Sequence, residues 1–260
     1  MLTTIPDLPG SVRFVREVPA GDVPAVAHPG WQEAFPWLVQ GTTHRGDGDS
    51  PFDLGLYAAA SPPRSVMRNW EALRRASGLG RIVYAHQVHG AEMRAHGAGE
   101  TGLHVAEACD GHVTAEPDVL LTVSVADCVP VSVVDPGRRA VALLHAGWRG
   151  AAAGILDRGL EDLVGGGSRI PDLYVHLGPA ICGACYEVGP EVFAALGLPR
   201  PAAPTPVDLR AWLAGRAVAA GVPTEQVSLS THCTLCGDGD FFSHRGGDRE
   251  RQVGFLGVRP

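Results

Sequence analysis

Short apolar runs separated by turn residues dominate the pattern along the chain. Residues 11–16 alternate polar and apolar positions, as a half-buried strand does. Residues 119–125 and 131–134 are rich in β-branched side chains, and residues 140–144 are continuously apolar. Residues 173–177 form a further buried run that meets Gly178-Pro179. Asp135-Pro136-Gly137-Arg138 has the residue types of a tight turn, so the runs on either side of it are predicted to form an antiparallel hairpin.

Three segments carry the helical period instead. Residues 65–77 place Val66, Asn69, Trp70 and Leu73 three and four positions apart, and Gly78 can end the helix. Residues 150–164 place Ile155, Leu156, Leu160 and Leu163 on one face, up to the stop at Gly165-Gly166-Gly167. Thr205-Pro206-Val207-Asp208 reads as a hydroxyl cap, a proline in the first helical position and an acid. It predicts a helix over 207–220, closed by Gly221 and Pro223. The prolines at 199, 201, 204 and 206 make the preceding stretch a loop. Strands and helices in this order, with an antiparallel hairpin among them, point to a mixed α+β or α/β fold, not a regular βαβ series.

With 260 residues, 45% of them hydrophobic, and no Ser/Gly linker or charge block, a single domain spanning 1–260 is expected. The formal net charge of -7, without a dense basic face, argues against a nucleic-acid partner. Residues 1–10 hold Pro6, Asp7 and Pro9 and lack both a basic and an apolar leader region. No apolar run approaches the roughly 20 residues of a membrane span. The expectation is a soluble, cytoplasmic protein with no membrane partner and no obligatory protein partner. Its six cysteines then default to thiols or metal ligands.

Three motifs carry potential ligands: His86-Gln87-Val88-His89-Gly90, Ala126-Asp127-Cys128-Val129-Pro130 and His145-Ala146-Gly147-Trp148-Arg149-Gly150. Cys128 precedes the first strand of the predicted hairpin and His145 ends the second, so the turn at Pro136 brings them side by side. His89 must arrive from a third segment. His89, Cys128 and His145 would bind a metal through three protein atoms and leave a fourth tetrahedral position open, as catalytic zinc sites do. The same set accepts copper, because raw affinity favours copper over zinc. His86 lies an odd number of positions from His89 and would face the other side of a strand, so it is not expected to be a fourth ligand. Asp127 reads as an orienting partner, a general base or a turn acid. Arg149, beside a helix start, reads as an anion clamp or a solvated side chain. Cys182-x-x-Cys185 and Cys233-x-x-Cys236 have the form of a split four-cysteine site. The segment between them, residues 186–232, far exceeds the roughly 15–20 residues of a compact ribbon, so a second zinc is not expected.

These motifs resemble the laccase-domain family. Its members are described as polyphenol oxidases, as peptidoglycan editing factors and as zinc-dependent purine nucleoside phosphorylases with adenosine deaminase activity. The resemblance runs from about Thr42 to Gln252. Beyond the three ligand motifs it includes Asp110-Gly111 with Thr114, Gly178-Pro179-x-Ile181, Cys185-Tyr186-Glu187-Val188-Gly189, Cys233-Thr234 and Phe242-Ser243-x-Arg245. It implies a layered sandwich of two mixed sheets flanked by helices, with zinc on His89, Cys128 and His145. It implies that Cys182 and Cys185 line the vicinity without binding a second zinc. The implied reaction is attack of phosphate on the ribose of adenosine, inosine or guanosine, with deamination of adenosine in the same pocket. Asp127, Cys128 and Gln87 are then the catalytic candidates, and Arg45, His44, Arg149 and Asn69 the substrate- and phosphate-binding ones. The chain departs from the family pattern at His44, at Asp53 where asparagine is expected, at Trp70 and at Glu250. All four changes fall in the implied substrate segments, away from the metal ligands.

Other classes use the same residues. A copper polyphenol oxidase needs more paired histidines than the one close pair, His86/His89, among the 11 present. A hydrolase with Cys128 as nucleophile and His145 as base would survive chelation and die on alkylation; a peptidoglycan-editing hydrolase is a variant of this. A non-catalytic, metal-stabilised module would unfold when its metal is removed.

Overall fold

Alternation along three central strands sets the layering. The strands β9 (Val119–Val125), β10 (Val129–Asp135) and β11 (Ala140–Ala146) are buried almost throughout. Val129, Val131, Val133, Ala142 and Leu144 join one apolar cluster, while Val134, Val141 and Leu143 join another. From β9, Leu121, Val123 and Val125 enter that second cluster and Leu120 enters a third. A two-residue period splits each strand between two faces, so the second cluster lies between two sheets and the others lie under helices.

The computed structural model describes residues 10, 12–47, 50–57 and 60–260. It contains two seven-stranded mixed sheets. The first runs β1 (Arg13–Val15), β15 (Val227–Ser230), β12 (Tyr174–Leu177), β10, β11, β8 (Gly111–Thr114), β6 (Met93–Ala95). The second runs β2 (Val18–Pro19), β3 (Ala25–Ala27), β4 (Leu38–Thr43), β16 (Gln252–Val258), β9, β5 (Arg81–Ala85), β7 (Gly102–Ala106). A separate pair joins β13 (Glu187–Val188) to β14 (Thr205–Pro206). The helices α4 (Ile155–Gly165), α5 (Pro190–Ala195) and α6 (Leu209–Ala219) cover the outer face of the first sheet through Ile155, Leu160, Phe193 and Leu213. The helix α2 (Pro63–Ser77) covers the second sheet with Val66, Trp70 and Leu73. The short α1 (Pro29–Ala34) places Trp31 in the layer between the sheets. Each fully buried Leu, Val or Phe contributes about 1.5–3 kcal/mol, and these three clusters supply most such residues.

The predicted hairpin is present, with Pro130 opposite His145 and Val131 opposite Leu144. The strand expected over 11–16 is observed as β1, and Ser11 lies outside the described residues, as do residues 1–9. Helix α2 ends at Gly78, whose φ of 71° is left-handed. Two predicted helices differ. The segment 150–164 is two helices, α3 (Trp148–Ala152) and α4, because Gly154 sits between them at φ 86° and interrupts the ladder. Thr205 is not a cap: Thr205 and Pro206 pair with Val188 and Glu187, and Asp208 caps α6 by accepting the Ala211 N–H at 3.1 Å. Among the described residues no helix is long and apolar enough to cross a membrane.

Strand direction decides where loops gather. β7, β5 and β9 are parallel neighbours, so their C-terminal ends fall on one edge of the second sheet. From that edge each crosses to the first sheet, β5 to β6, β7 to β8 and β9 to β10. The three crossovers carry His89, Asp110 and Cys128, and β11 returns His145 to the same edge.

Candidate active site

His145 shares the parity of Val141 and Leu143 on β11, so it faces the space between the sheets, at their open end, and is 3% exposed. Cys128 turns the corner from β9 to β10 one residue before the hairpin pairs. His89 stands on the β5–β6 crossover and is exposed. One donor atom from each of the three lies within 4.8 Å of the other two. The three residues that the sequence grouped as ligand candidates therefore lie together. Both His89 and Asp127 have positive φ, 58° and 87°, a conformation that L residues adopt only when their surroundings enforce it.

Asp110 provides that enforcement for His89. It is fully buried, and its Oδ2 accepts the N–H groups of Val88 at 3.1 Å and Gly90 at 2.8 Å. Its Oδ1 accepts the His89 N–H at 2.9 Å and lies 2.8 Å from His145 Nδ1. Occupying Nδ1 leaves His145 Nε2 for the donor triangle and orients the ring. Burial alone would raise the Asp110 carboxyl; the hydrogen bonds from His145, Gly90 and Val88 outweigh it and hold the carboxyl below its ordinary value. In the sequence Asp110 stood out only within Asp110-Gly111, one of the motifs that carry the family resemblance. The signal that could have found it is a carboxylate beside a metal-type histidine motif, since ligating histidines need such a partner.

Burial also opposes ionisation of Cys128, yet the charge of His145 and hydrogen bonds from His145 and His89 bring its thiol down to about 6. Burial likewise disfavours an imidazolium at His145, but Cys128 and Asp110 raise it to about 9. With no cation between them the pair favours thiolate and imidazolium; a cation would take the proton's place, which suits this donor set to a metal. Gly147 provides the room. A Cβ there would lie 3.0 Å from Cys128 Sγ and 3.1 Å from His89 Cδ2. Since the Gly147 backbone has φ -76°, alanine fits the chain itself, and the strain falls on the donors. Gly147→Ala is expected to weaken metal binding about tenfold, while the melting transition moves by only a few degrees. Chelator competition and thermal melts read the two effects, and unchanged affinity would count against the crowding.

A cavity of about 380 Å³ opens over the trio. Its wall includes Tyr57, Tyr84, His86, Ser124, His244 and Arg251. Tyr57 packs on His86 with centroids 4.6 Å apart and on Tyr84 at 6.0 Å. His86 thus lines the cavity without joining the donor group. Gln87 also lines it, but its amide is clamped on both sides to the Ser124 backbone, at 2.8 and 2.6 Å.

Several residues expected at the substrate lie elsewhere. Arg45 bonds the Gly239 and Phe241 carbonyls and Asp248, and stacks over Phe242 at 4.6 Å. His44 borders a different cavity with His232 and Phe241. Asn69 donates to the Asp53 carbonyl at 3.0 Å, tethering α2 to the loop before it. Arg149 is exposed and lies over the Trp148 ring at 4.3 Å, off the cavity wall. The Arg45 and Asn69 side chains are thus held by structural partners, and His44 and Arg149 lie off the wall of the cavity over the trio. Asp127 likewise accepts from Thr234 Oγ1 at 2.6 Å, Ser243 Oγ at 2.8 Å and the Arg245 N–H at 2.7 Å, so its carboxylate is spent on the 231–245 loop. Two of the departures from the family pattern are structural too. Trp70 is 1% exposed and donates to the Leu54 carbonyl, and buried Asp53 accepts from the Gly55 and Arg251 N–H groups.

Comparison with known proteins finds relatives along most of the chain. Residues 39–259 match the family model described as multi-copper polyphenol oxidoreductase laccase. The chain is 35% identical to purine nucleoside phosphorylase YlmD of Geobacillus stearothermophilus, over 88% of this chain and 96% of that one. It is 39% identical to a purine nucleoside phosphorylase of Mycobacterium tuberculosis, over 78% and 85%. It is 36% identical to adenosine deaminase RL5 of an unknown prokaryotic organism, over 54% and 57%. The crystal structure of the Geobacillus YlmD superposes with a TM-score of 0.84 at 29% identity, covering 95% of this chain and 99% of that one. A fold of two mixed sheets, a donor trio at their shared edge and a family match across most of its length together show that this chain belongs to the laccase-domain family.

Proposed function

We propose that the chain acts as a single-domain, zinc-dependent purine nucleoside phosphorylase. It would convert adenosine, inosine and guanosine with phosphate to free base and ribose 1-phosphate, and would deaminate adenosine in the same pocket. The observation that carries this reading is the 380 Å³ cavity, with aromatic and imidazole side chains on its wall and His89, Cys128 and His145 at its floor. That volume lies in the range of small-ligand sites. Zinc on the three donors would supply a Lewis acid with an open fourth position.

The protein's own groups divide the remaining tasks. Tyr57 and His86 offer flat faces to a purine. Arg251, whose Nη1 donates to the Asp248 and Glu250 carbonyls, and His244 stand on the cavity wall, and we transfer to them the phosphate-binding role first expected of Arg45, His44, Asn69 and Arg149. Gln87 holds the His89 crossover against β9, and Asp127 holds the corner that presents Cys128. Relatives named purine nucleoside phosphorylase and adenosine deaminase support this choice within the family.

Chromatography of products from zinc-loaded protein and adenosine, with and without phosphate, tests it. Adenine and ribose 1-phosphate formed only with phosphate, or inosine formed without it, is the expected result. No turnover by protein shown to hold its metal would sink the reading. The Cys128–His145 pair favours one alternative, a thiol nucleophile, whose activity would resist chelation and be lost on alkylation.

A further inference from the structure

Cys182, Cys185, Cys233 and Cys236 are separated in sequence by residues 186–232, which hold β13, α5, β14 and α6. The fold closes that distance. β12 and β15 are parallel neighbours, with Val175 beside Val227 and Leu177 beside Leu229, so their C-terminal ends emerge together. Ala180 and Cys233 then pair as an isolated parallel bridge, and the Thr234 N–H donates to the Ala180 carbonyl at 3.2 Å. Each loop turns on its own Cys-x-x-Cys. The N–H groups of Cys185 and Tyr186 donate to the Cys182 carbonyl at 3.0 Å, and those of Leu235 and Cys236 donate to Cys233 Sγ at 3.4 Å. A third donor, the Cys182 N–H, reaches Cys233 Sγ at 3.2 Å from the opposite loop. A thiol sulfur is a weak acceptor, so three backbone donors aimed at one Sγ suit a thiolate.

The four sulfurs lie within 4.8 Å of one another, and Cys182 Sγ is 3.8 Å from Cys236 Sγ. Zinc bonded tetrahedrally to sulfur at about 2.3 Å sets its sulfurs about 3.8 Å apart. A disulfide would need about 2.05 Å. We propose that these four cysteines form a closed tetrathiolate zinc site, structural in kind, distinct from the His89/Cys128/His145 group. Four protein sulfurs leave no open position for substrate. The long separation in sequence, which argued against such a site, is bridged by strand pairing, and Cys182 and Cys185 do more than line the vicinity. Zinc binding here displaces the thiol protons to solvent and forms four Zn–S bonds without change of oxidation state.

The site rivets two loops that serve the cavity. The Ile181 N–H donates to the Asp127 carbonyl at 3.1 Å, while Thr234, Ser243 and Arg245 hold the Asp127 carboxylate. His244 of the same loop stands on the cavity wall.

Metal analysis of the full chain, purified under reducing conditions, tests the proposal. Wild type should hold about two zinc equivalents, and Cys236→Ala and His145→Ala about one each. X-ray absorption of zinc-loaded His145→Ala should show four sulfurs at about 2.3 Å. Cys236 is the exposed member of the four, so its replacement disturbs packing least. Equal zinc in Cys236→Ala and wild type would overturn the proposal, as would iron in place of zinc. If Cys236→Ala fails to fold, X-ray absorption of His145→Ala and native alkylation of wild type decide the matter. Rapid native alkylation of all four cysteines, or disulfides by intact mass, overturns the site. Protection that is lost on chelation supports it.

Discussion

His145→Ala is expected to lose zinc from the cavity and nucleoside turnover together while the chain stays folded. Zinc sites built on four protein ligands have apparent binding energies of about 10–16 kcal/mol, or about 2.5–4 kcal/mol per ligand. Losing one ligand therefore weakens the metal by about two to three orders of magnitude. Turnover that depends on the metal should fall at least as far. The fold survives because Asp110 keeps its three backbone donors, Val88, His89 and Gly90, after the imidazole is gone. Dialysis against buffered zinc, followed by metal analysis and product chromatography on the same sample, makes the measurement. Wild-type metal and turnover would refute the assignment of His145 as a ligand. Wild-type metal with lost turnover would recast His145 as a base beside Cys128.

Asp110→Ala should damage both stability and affinity, although Asp110 touches neither cavity nor metal position. Its carboxylate is 0% exposed and collects three N–H groups and one imidazole. Removing one partner of a buried, hydrogen-bonded charge network costs about 3–5 kcal/mol. The exposed end of the crossover also loses what holds His89 at positive φ. Outer partners of metal-binding histidines typically change metal affinity by about 10–100-fold. Asp110→Asn retains one acceptor oxygen and should fall between wild type and alanine in both readouts. Urea titration gives the stability and chelator competition gives the affinity. An Asp110→Ala chain as stable as wild type, with the same zinc affinity, would show that the network carries neither.

Legibility in the sequence followed locality. The hairpin around Pro136-Gly137 was readable because turn chemistry and both apolar runs lie within 20 residues or so, and with it the adjacency of Cys128 and His145. Helix α2 was readable from Val66, Trp70 and Leu73 with Gly78 beyond them. β16 was not, because Gly254 and Gly257 dilute its apolar pattern. Both are small for packing reasons: a Cβ at either would come within 2.6 Å of Pro130 or Leu79. Arg251 on the cavity wall was missed along with it. The role of Asp110 and the meeting of the four cysteines depend on parallel strands delivering distant loops to one edge, which no local window contains. Arg45 and Asn69 present a different case. Their types suit phosphate and substrate, but only packing shows that Asp248 and the Asp53 carbonyl already occupy them.

The position of β16 also bears on biosynthesis. It fills the slot between β4 and β9, so strands drawn from residues 38–43 and 119–125 become neighbours only through residues 252–258. A nascent chain emerging from the ribosome can form the β10/β11 hairpin early, since its partners are close in sequence. It then carries two unpaired strand edges through the translation of more than a hundred further residues, a span in which edge-to-edge association with other chains competes with folding. Closure of the second sheet and delivery of Arg251 to the cavity wall are one event, so a chain still open to aggregation has an incomplete pocket.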